Sequence, residues 1–181
     1  MTVRVTLTRA EILSLFEALN AELATDDTHG EVYLVGGAVM CLALDARAAT
    51  RDVDGVFKPA TRIRQAAARV AAAKHVPENW LNDAVKGWLG ARGEFDRWLE
   101  RSHLQVFVAR PEYLLAMKAV ALRLGEEFHD LDDVRYLLRY LNITTAADAM
   151  AVVTKYFDDS QVPPKTRLAL EELLGATEKR R

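Results

Sequence analysis

The sequence predicts an α/β (α+β) fold in which a small mixed β-sheet is flanked by helices and followed by a helical C-terminal part. Short apolar runs of strand character alternate with helical patterns in the first part of the chain, and the remainder carries only helical periodicity. We therefore predict an α/β core over residues 1–110 and a helical part over residues 111–181 packed on it. A chain of 181 residues is long enough to bury a substantial core.

The first part of the chain predicts helices and strands in alternation. The first helix should start after Thr8, because Thr8 and Glu11 have the spacing of a capping box ahead of periodic apolar residues. Runs rich in β-branched and aromatic residues predict strands, and periodic apolar positions predict helices. In chain order we predict a strand at residues 31–35, a helix at 38–46, a strand at 52–57, a helix at 60–74 and a short helix within 77–90.

The later part of the chain predicts one more strand and then helices alone. Pro111 occupies a favourable first helical position, and Gly125 should end that helix. Turn-rich segments then divide the rest of the chain. The predicted elements are a strand at residues 104–108 and helices at 111–125, 130–141, 146–157 and 164–174.

Composition and charge exclude several classes of protein. Half of the residues are hydrophobic and 28% are charged, which is typical of globular proteins and argues against a disordered or fibrous chain. The net charge of −2 offers no general positive field to nucleic acid. Residues 32–44, the longest uncharged run, are too few to span a bilayer, and the N-terminus lacks the apolar segment of a signal peptide. We expect a cytoplasmic protein, without a disulfide and with its single cysteine, Cys41, buried.

Two aspartates separated by one valine stand at the second predicted strand. Side chains at i and i+2 of a strand point to the same face, so Asp52 and Asp54 should converge while Val53 points away. Converging carboxylates need compensating charge, and a hard divalent cation such as Mg²⁺, with substrate phosphates completing its shell, is a common source. The alternative is a pair of solvated acids at a strand edge.

Gly36 and Gly37 stand between a predicted strand and a predicted helix. Without a Cβ they let the backbone approach a ligand, and the start of the helix offers N–H groups to a phosphate. A diglycine turn alone is most often only a turn. The Gly36-Gly37 turn is followed shortly by Asp52 and Asp54, and this combination predicts a phosphate-binding turn next to a metal-binding pair of carboxylates.

The combination resembles a known family. The segment "LVGGAVMCLAL…ATRDVDGVF" is similar to the signature of the minimal nucleotidyltransferases of the DNA polymerase β superfamily, particularly the branch that contains AbiEii-type abortive-infection toxins. The segment "ARPEYLLAMKAVALRLGEEFHDLDDVRYLL" resembles the part of that branch in which a helix carries a lysine and the next helix opens with closely spaced aspartates. The resemblance covers residues 32–138 and depends on both motifs.

The resemblance implies roles for the residues that match these motifs. It implies transfer of a nucleoside monophosphate from an NTP to an RNA, notably tRNA, or to a protein, with Mg²⁺ or Mn²⁺ as cofactor. It also implies a cognate antitoxin or toxin as partner in a toxin–antitoxin or abortive-infection system. The implied metal ligands are Asp52 and Asp54, the implied catalytic residues are Asp52, Asp54, Lys118 and Asp133, and the implied nucleotide-binding residues are Gly36, Gly37, Arg51, Lys118 and Asp130.

Lys118 falls on the apolar stripe of its predicted helix, which would carry the ammonium group toward the interior or a cleft. There it would either extend past the core to water or meet an anion such as a triphosphate or a carboxylate. We predict that Asp133 faces Lys118 and orients it in the cleft that holds the metal. Without the resemblance, Asp130 and Asp133 would be read as acids that favour a helix N-terminus.

The sequence departs from the family at one point. Many members carry a third catalytic carboxylate on a later strand, but the strand predicted at residues 104–108 offers only Gln105. The site could then hold its metal with two carboxylates and the nucleotide phosphates, or it could have kept only nucleotide or partner binding. A further alternative is an antitoxin-like enzyme that attaches AMP to a partner toxin.

The sequence gives less specific indications of function for several arginines and for the histidines. Arg47 and Arg51 are candidate phosphate ligands near the aspartates. The four histidines show no metal-ligand spacing, and we assign them no chemistry. Three arginines on the helix predicted at 60–74 could contact a tRNA backbone, although a solvated helix face is the simpler explanation; they are Arg62, Arg64 and Arg69.

Overall fold

The computed structural model describes residues 6–83, 92–123 and 130–178, with side chains to residue 175. Over these ranges it contains seven α-helices, a five-stranded mixed sheet and a two-stranded sheet, which confirms the predicted mixed α+β class. The chain divides into two compact units, Met1–Gly87 with Phe95–Ala109 and Trp88–Glu94 with Arg110–Arg181. None of the helices in the described ranges combines the length and the apolar character that crossing a bilayer requires.

The first unit is built around the five-stranded sheet, whose order is β5-β4-β2-β7-β6. The central strand β2 pairs antiparallel with β4 and parallel with β7, and β1 pairs antiparallel with β3. The elements of this unit are β1 (Leu7–Thr8), α1 (Arg9–Thr25), β2 (Gly30–Val35), α2 (Gly36–Leu42), β3 (Ala49–Thr50), β4 (Val53–Lys58), α3 (Ala60–Lys74), β5 (Leu81–Asn82), β6 (Phe95–Glu100) and β7 (Leu104–Ala109).

The capping box predicted for the first helix is confirmed. The Thr8 amide donates to the Glu11 carboxylate at 2.7 Å, and the Glu11 amide donates to the Thr8 hydroxyl at 3.3 Å. α1 then buries one apolar face and packs against α3 and the sheet strand β7. That face consists of Ile12, Leu15, Phe16, Leu19 and Leu23.

The strands β2, β4 and β7 bury alternate residues. Val32 and Leu34 of β2 are fully buried, and Val53 of β4 is buried with them. Cys41 on α2 is buried, as expected, and burial raises the pKa of its thiol. Trp80, also buried, donates its indole N–H to the carbonyl of Ala67 at 3.1 Å and so connects the β5 segment to α3.

Three predicted elements of the first unit require correction. The helix predicted at 38–46 ends at Leu42, and the backbone becomes left-handed at Asp45. The strand predicted at 52–57 begins at Val53, so Asp52 lies just outside it. Within the segment predicted as a helix at 77–90, Leu81–Asn82 forms β5, because these residues pair with β4; residues 84–90 lie outside the described ranges.

One strand of the sheet was not predicted at all. β6 pairs antiparallel with β7 at the edge of the sheet, with an irregularity in register between Arg97 and Leu99. Its exposed charged residues, among them Arg97 and Glu100, interrupt the apolar alternation by which a strand is recognised. Charged side chains are common on edge strands, since they discourage pairing with another chain.

The second unit is helical, as predicted. Its elements are α4 (Pro111–Val120), α5 (Asp130–Tyr140), α6 (Ala146–Tyr156), a 3₁₀ turn (Asp159–Gln161) and α7 (Pro164–Glu178). α4 packs against α5, α6 and α7. α7 also satisfies carbonyl groups near the end of α4, since Thr166 donates to the Ala119 carbonyl at 2.8 Å and Lys165 donates to the Leu122 carbonyl at 2.7 Å. The helix predicted at 111–125 is too long: α4 ends at Val120 and Ala121 caps it, while Gly125 itself lies outside the described ranges.

Candidate functional site

The diglycine turn and one aspartate meet at the end of the central strand. Val35, the last residue of β2, pairs with Asp54 of β4. Gly36 follows at once with φ +68°, a left-handed conformation that glycine adopts without strain. A Cβ built at Gly36 would lie 3.5 Å from Asp54 Oδ2. Antiparallel pairing therefore brings together two motifs that are separate in the sequence.

Gly37 is in close contact with two polar side chains. A Cβ built there would lie 3.0 Å from Arg47 Nη1 and 3.0 Å from Thr50 Oγ1. The Thr50 hydroxyl in turn donates to the Asp52 carbonyl at 3.1 Å. The glycine thus allows a guanidinium group and the segment before β4 to pack against the turn. Of the two candidate phosphate ligands, Arg47 lies beside this turn, whereas Arg51 is exposed.

An asparagine that the sequence did not single out lies beside Asp54. Asn82 of β5 is in parallel register with Asp54 and donates its amide to Asp54 Oδ1 at 3.1 Å. The next residue, Asp83, forms an ion pair with Arg64 at 2.7 Å. Asn82 was missed because its segment was predicted to be helical. Only the pairing of β5 with β4 places it at this end of the sheet.

The donor atoms at this end of the sheet suit a hard cation. Asp52 and Asp54 are half-buried while Val53 between them is fully buried. The predicted convergence of the two carboxylates stays a prediction, because Asp52 lies just before the first residue of β4. Carboxylate oxygens are what Mg²⁺ and Mn²⁺ prefer, and Mg²⁺ commonly takes one or two protein carboxylates together with substrate phosphates and water. Asp52 and Asp54 therefore offer the ligand type that such a cation prefers, and Asp54 does so directly beside the Gly36 turn.

The other predicted residues form a buried ionic cluster in the second unit. The ammonium group of Lys118 lies 2.7 Å from Asp133 Oδ2 and 3.4 Å from Asp130 Oδ1, and the three side chains are 13%, 4% and 6% exposed. As predicted, Asp133 faces Lys118. The 2.7 Å pair is an ion pair by distance, although its angles depart from hydrogen-bond geometry. Of the two alternatives for Lys118, extension past the core to water or contact with an anion, the structure shows contact with anions. These anions are the carboxylates of Asp130 and Asp133.

Arg123 completes this cluster from the segment after α4. Its Nε and its backbone amide donate to Asp130 Oδ2 at 2.8 and 3.1 Å. Burial by itself raises the pKa of Asp130, but the hydrogen bonds from Arg123 and the charge of Lys118 outweigh burial and lower the pKa below its usual range. The Arg123 side chain is 60% exposed, and nothing in the sequence pattern predicts its contact with Asp130.

The arginines of α3 take part in ion pairs with acids of the first unit. Arg69 contacts Glu22 at 2.6 Å and Asp26 at 3.2 Å, which connects α3 to the end of α1. Arg64 contacts Asp83. These side chains are about half exposed. Neighbouring carboxylates therefore neutralise part of the positive charge on the solvated face of α3.

The left-handed backbone at Gly36 predicts that any residue with a Cβ at this position lowers the free energy of unfolding. Gly36→Ala should destabilise the protein by about 1–2 kcal/mol, the cost of a Cβ in the left-handed region. Denaturant unfolding monitored by circular dichroism would measure it. Gly175→Ala in α7 is the matched control, because no described atom outside its own stretch of helix lies within 4 Å of a Cβ there. Alanine at this position should stabilise the helix by up to about 1 kcal/mol. Equal effects of the two changes would contradict the strain expected at Gly36.

Comparison with known proteins identifies no relative. The chain matches no protein-family model, no curated protein and no solved structure.

Proposed function

We propose that this protein is a metal-dependent nucleotidyltransferase that moves a nucleoside monophosphate from an NTP to an RNA, such as tRNA, or to a protein. The observation that carries the proposal is the meeting of the Gly36 turn with the Asp54 carboxylate at one end of the sheet. A glycine turn beside paired carboxylates offers space for a triphosphate next to oxygen ligands for its cation. The resemblance to minimal nucleotidyltransferases supports the same assignment.

The reaction assigns separate tasks to the residues of the site. Bound by Asp52 and Asp54, Mg²⁺ or Mn²⁺ would supply positive charge to the attacking and leaving oxygens. Gly36 would let the phosphate chain approach the backbone beside Asp54, and Arg47, which packs against Gly37, would neutralise part of its charge. An acceptor hydroxyl oxygen would bond to the α-phosphorus as the bond from that phosphorus to the α–β bridging oxygen breaks. Pyrophosphate then leaves, and the hydroxyl proton passes to water.

A transfer assay tests this proposal directly. The purified protein would be incubated with each labelled NTP and Mg²⁺ or Mn²⁺, together with total tRNA or with lysate proteins. We expect label on one class of acceptor with the wild-type protein and none with Asp52→Asn/Asp54→Asn. Circular dichroism of the double variant must match the wild type, so that loss of transfer reports on the site and not on folding. Equal labelling by both proteins would contradict the assignment.

A second candidate function is nucleotide or partner binding without turnover. The strand beside β4 presents an amide, Asn82, next to Asp54, and β7 carries no carboxylate. A site with two carboxylates binds a cation more weakly than a site with three, because each carboxylate contributes charge. This arrangement favours a protein that holds a nucleotide through its phosphates and the cation but turns it over slowly.

Replacing Asn82 with aspartate separates the two candidates. A third carboxylate beside Asp54 should tighten Mn²⁺ binding about tenfold, and without metal it should lower stability through charge repulsion. Calorimetric titration with Mn²⁺ and thermal unfolding with and without the ion would measure both effects. If Asn82→Asp restores transfer to an inactive wild-type protein, the amide explains the inactivity; unchanged Mn²⁺ affinity would show that Asn82 is not next to the cation.

The biological role that we propose is part of a toxin–antitoxin or abortive-infection system. An enzyme that acts as a toxin should be restrained by the product of an adjacent gene, whereas an antitoxin-like enzyme should attach AMP to that product. Adding the neighbouring protein to the transfer assay distinguishes the two roles. Inhibition of transfer indicates a toxin, and labelling of the neighbour with AMP indicates an antitoxin.

A further inference from the structure

We propose that Asp27, His29 and His103 form a binding site for a divalent transition metal such as Zn²⁺. One potential ligand atom from each residue lies within 4.8 Å of the other two, and this is the one such group of three found among the described residues. The group lies at the start of β2, whereas Gly36 and Asp54 lie at its other end. A strand of six residues separates the two ends by about 20 Å.

Strand pairing places the two histidines next to each other. Gly30 of β2 is in parallel register with Leu104 of β7, and the Gly30 amide donates to the His103 carbonyl at 2.9 Å. His29 and His103 are therefore the residues that directly precede two paired strand positions. Their rings lie 4.6 Å apart between centroids, tilted by 30°. Asp27 approaches from the turn after α1, where its φ is +47°.

One pair of the potential ligand atoms has the spacing of tetrahedral coordination. Asp27 Oδ1 lies 3.3 Å from His103 Nε2. Two ligands that each lie about 2.0–2.1 Å from a tetrahedral Zn²⁺ are separated by about 3.3–3.4 Å. A direct hydrogen bond between these atoms would usually be shorter, about 2.7–3.2 Å. The two atoms are also within hydrogen-bonding distance, so the same geometry suits either a hydrogen bond or two ligands of one cation.

Neighbouring groups hold the second histidine in a suitable orientation. His103 Nδ1 lies 3.0 Å from the Ser102 hydroxyl, and the His103 amide donates to Asn20 Oδ1 at 2.9 Å. A hydrogen bond at Nδ1 that occupies the ring proton leaves the lone pair of Nε2 for a metal, and such outer-shell partners orient most metal-binding histidines. Two imidazoles and one carboxylate favour Zn²⁺ over Mg²⁺, since imidazole suits the later transition metals.

The remaining coordination position has access to a cavity of about 570 Å³, whose lining includes His29 and His103. Three protein ligands leave the fourth position of a tetrahedral ion to water or another ligand, as in catalytic zinc sites. Lys58 and Arg101 also line this cavity. Glu31 lines the cavity as well, so its lining carries charge of both signs.

Calorimetric titration of the full chain, free of any affinity tag, with ZnCl₂ tests the site. We expect one equivalent of Zn²⁺ to bind, and Asp27→Asn, His29→Gln and His103→Gln each to weaken binding by about tenfold or more. His75→Gln is the matched control, because His75 is an exposed histidine of the same unit at the end of α3. The visible absorption spectrum of bound Co²⁺ should indicate tetrahedral coordination and should be lost in the three variants.

An ordinary ion pair between His103 and Asp27 would give a different result. The wild type and an Asp27→Asn/His29→Gln/His103→Gln variant would then bind Zn²⁺ equally or not at all, and this outcome overturns the proposal. Asp27→Asn keeps the size of the side chain and the tendency to adopt a left-handed backbone, so it reports on the carboxylate even if a histidine variant fails to fold. The Asp52→Asn/Asp54→Asn protein should retain full Zn²⁺ affinity, which keeps this test independent of the proposed transferase site.

Discussion

Replacing Asp54 with asparagine is expected to slow nucleotidyl transfer by about a hundredfold to a thousandfold while leaving the fold intact. Charge supplied by a metal to a transferring phosphoryl group lowers the barrier by several kcal/mol, and each 1.36 kcal/mol corresponds to about a tenfold change in rate. Asparagine keeps the shape of the side chain but removes the charge that would hold the proposed cation beside Gly36. The rate should be measured at saturating NTP over a range of Mg²⁺ concentrations.

Asp45→Asn is the matched control for this experiment. Asp45 is exposed, lies between α2 and β3, and has φ +51°, a conformation that asparagine also tolerates. This change removes the same charge from the same part of the chain, and we expect the transfer rate to stay within about twofold, the effect of a single exposed charge. Full activity of Asp54→Asn would exclude Asp54 as a metal ligand. Equal losses in both variants would point to overall charge rather than to coordination.

Replacing Lys118 with methionine is expected to destabilise the second unit by about 3–5 kcal/mol, the usual cost of leaving a buried charge without its partner. Methionine matches the length and apolar stem of lysine, but it leaves Asp133 and Asp130, both almost fully buried, without the ammonium group. Thermal and urea unfolding, monitored by circular dichroism, would measure the loss. An unchanged midpoint would contradict a stabilising role for this cluster.

Two further variants show whether burial causes the effect. Arg135→Met removes a pair with Asp132 in which both side chains are more than half exposed, and it should change the unfolding midpoint very little. Lys118→Met/Asp133→Leu removes both members of the buried pair and should recover much of the stability lost in the single variant. If the double variant is as unstable as the single one, packing around Lys118 matters more than its charge.

The same cluster predicts a dependence of stability on pH. The pKa of Asp130 is lowered in the folded protein, so its ionised form stabilises the fold at pH values above the pKa of the unfolded chain. That contribution should be lost as the pH falls below about 4 and then through the lowered pKa of the folded state. Asp130→Asn should flatten this part of the stability profile, and an unchanged acid transition would contradict the assignment.

Kinetics separate a structural role of Lys118 from the catalytic role that the resemblance implies. If Lys118 acts only through stability, Lys118→Met should keep its transfer rate at a temperature where it is fully folded. If the ammonium group acts on the nucleotide, the rate should fall at that temperature while the circular dichroism spectrum remains that of the wild type. Asp133→Asn distinguishes the same two outcomes for the residue that faces Lys118.

The sequence by itself determined the features that depend on neighbours in the chain. The Thr8 and Glu11 capping box and the bounds of α3 at Ala60–Lys74 follow from local spacing and apolar periodicity. The helical character of the later chain follows in the same way. The approach of Asp133 to Lys118 was also predicted, because each residue has a defined place on its own helix.

Only the tertiary structure decided which residues share a site. Asn82 lies beside Asp54 because β5 pairs with β4, and His29 lies beside His103 because β2 pairs with β7. β5 is too short and β6 too exposed to be recognised from local pattern. Strand pairing joins segments that are far apart in the chain, and its register is set by burial and backbone hydrogen bonding across the whole sheet. No local spacing in the sequence encodes these neighbours.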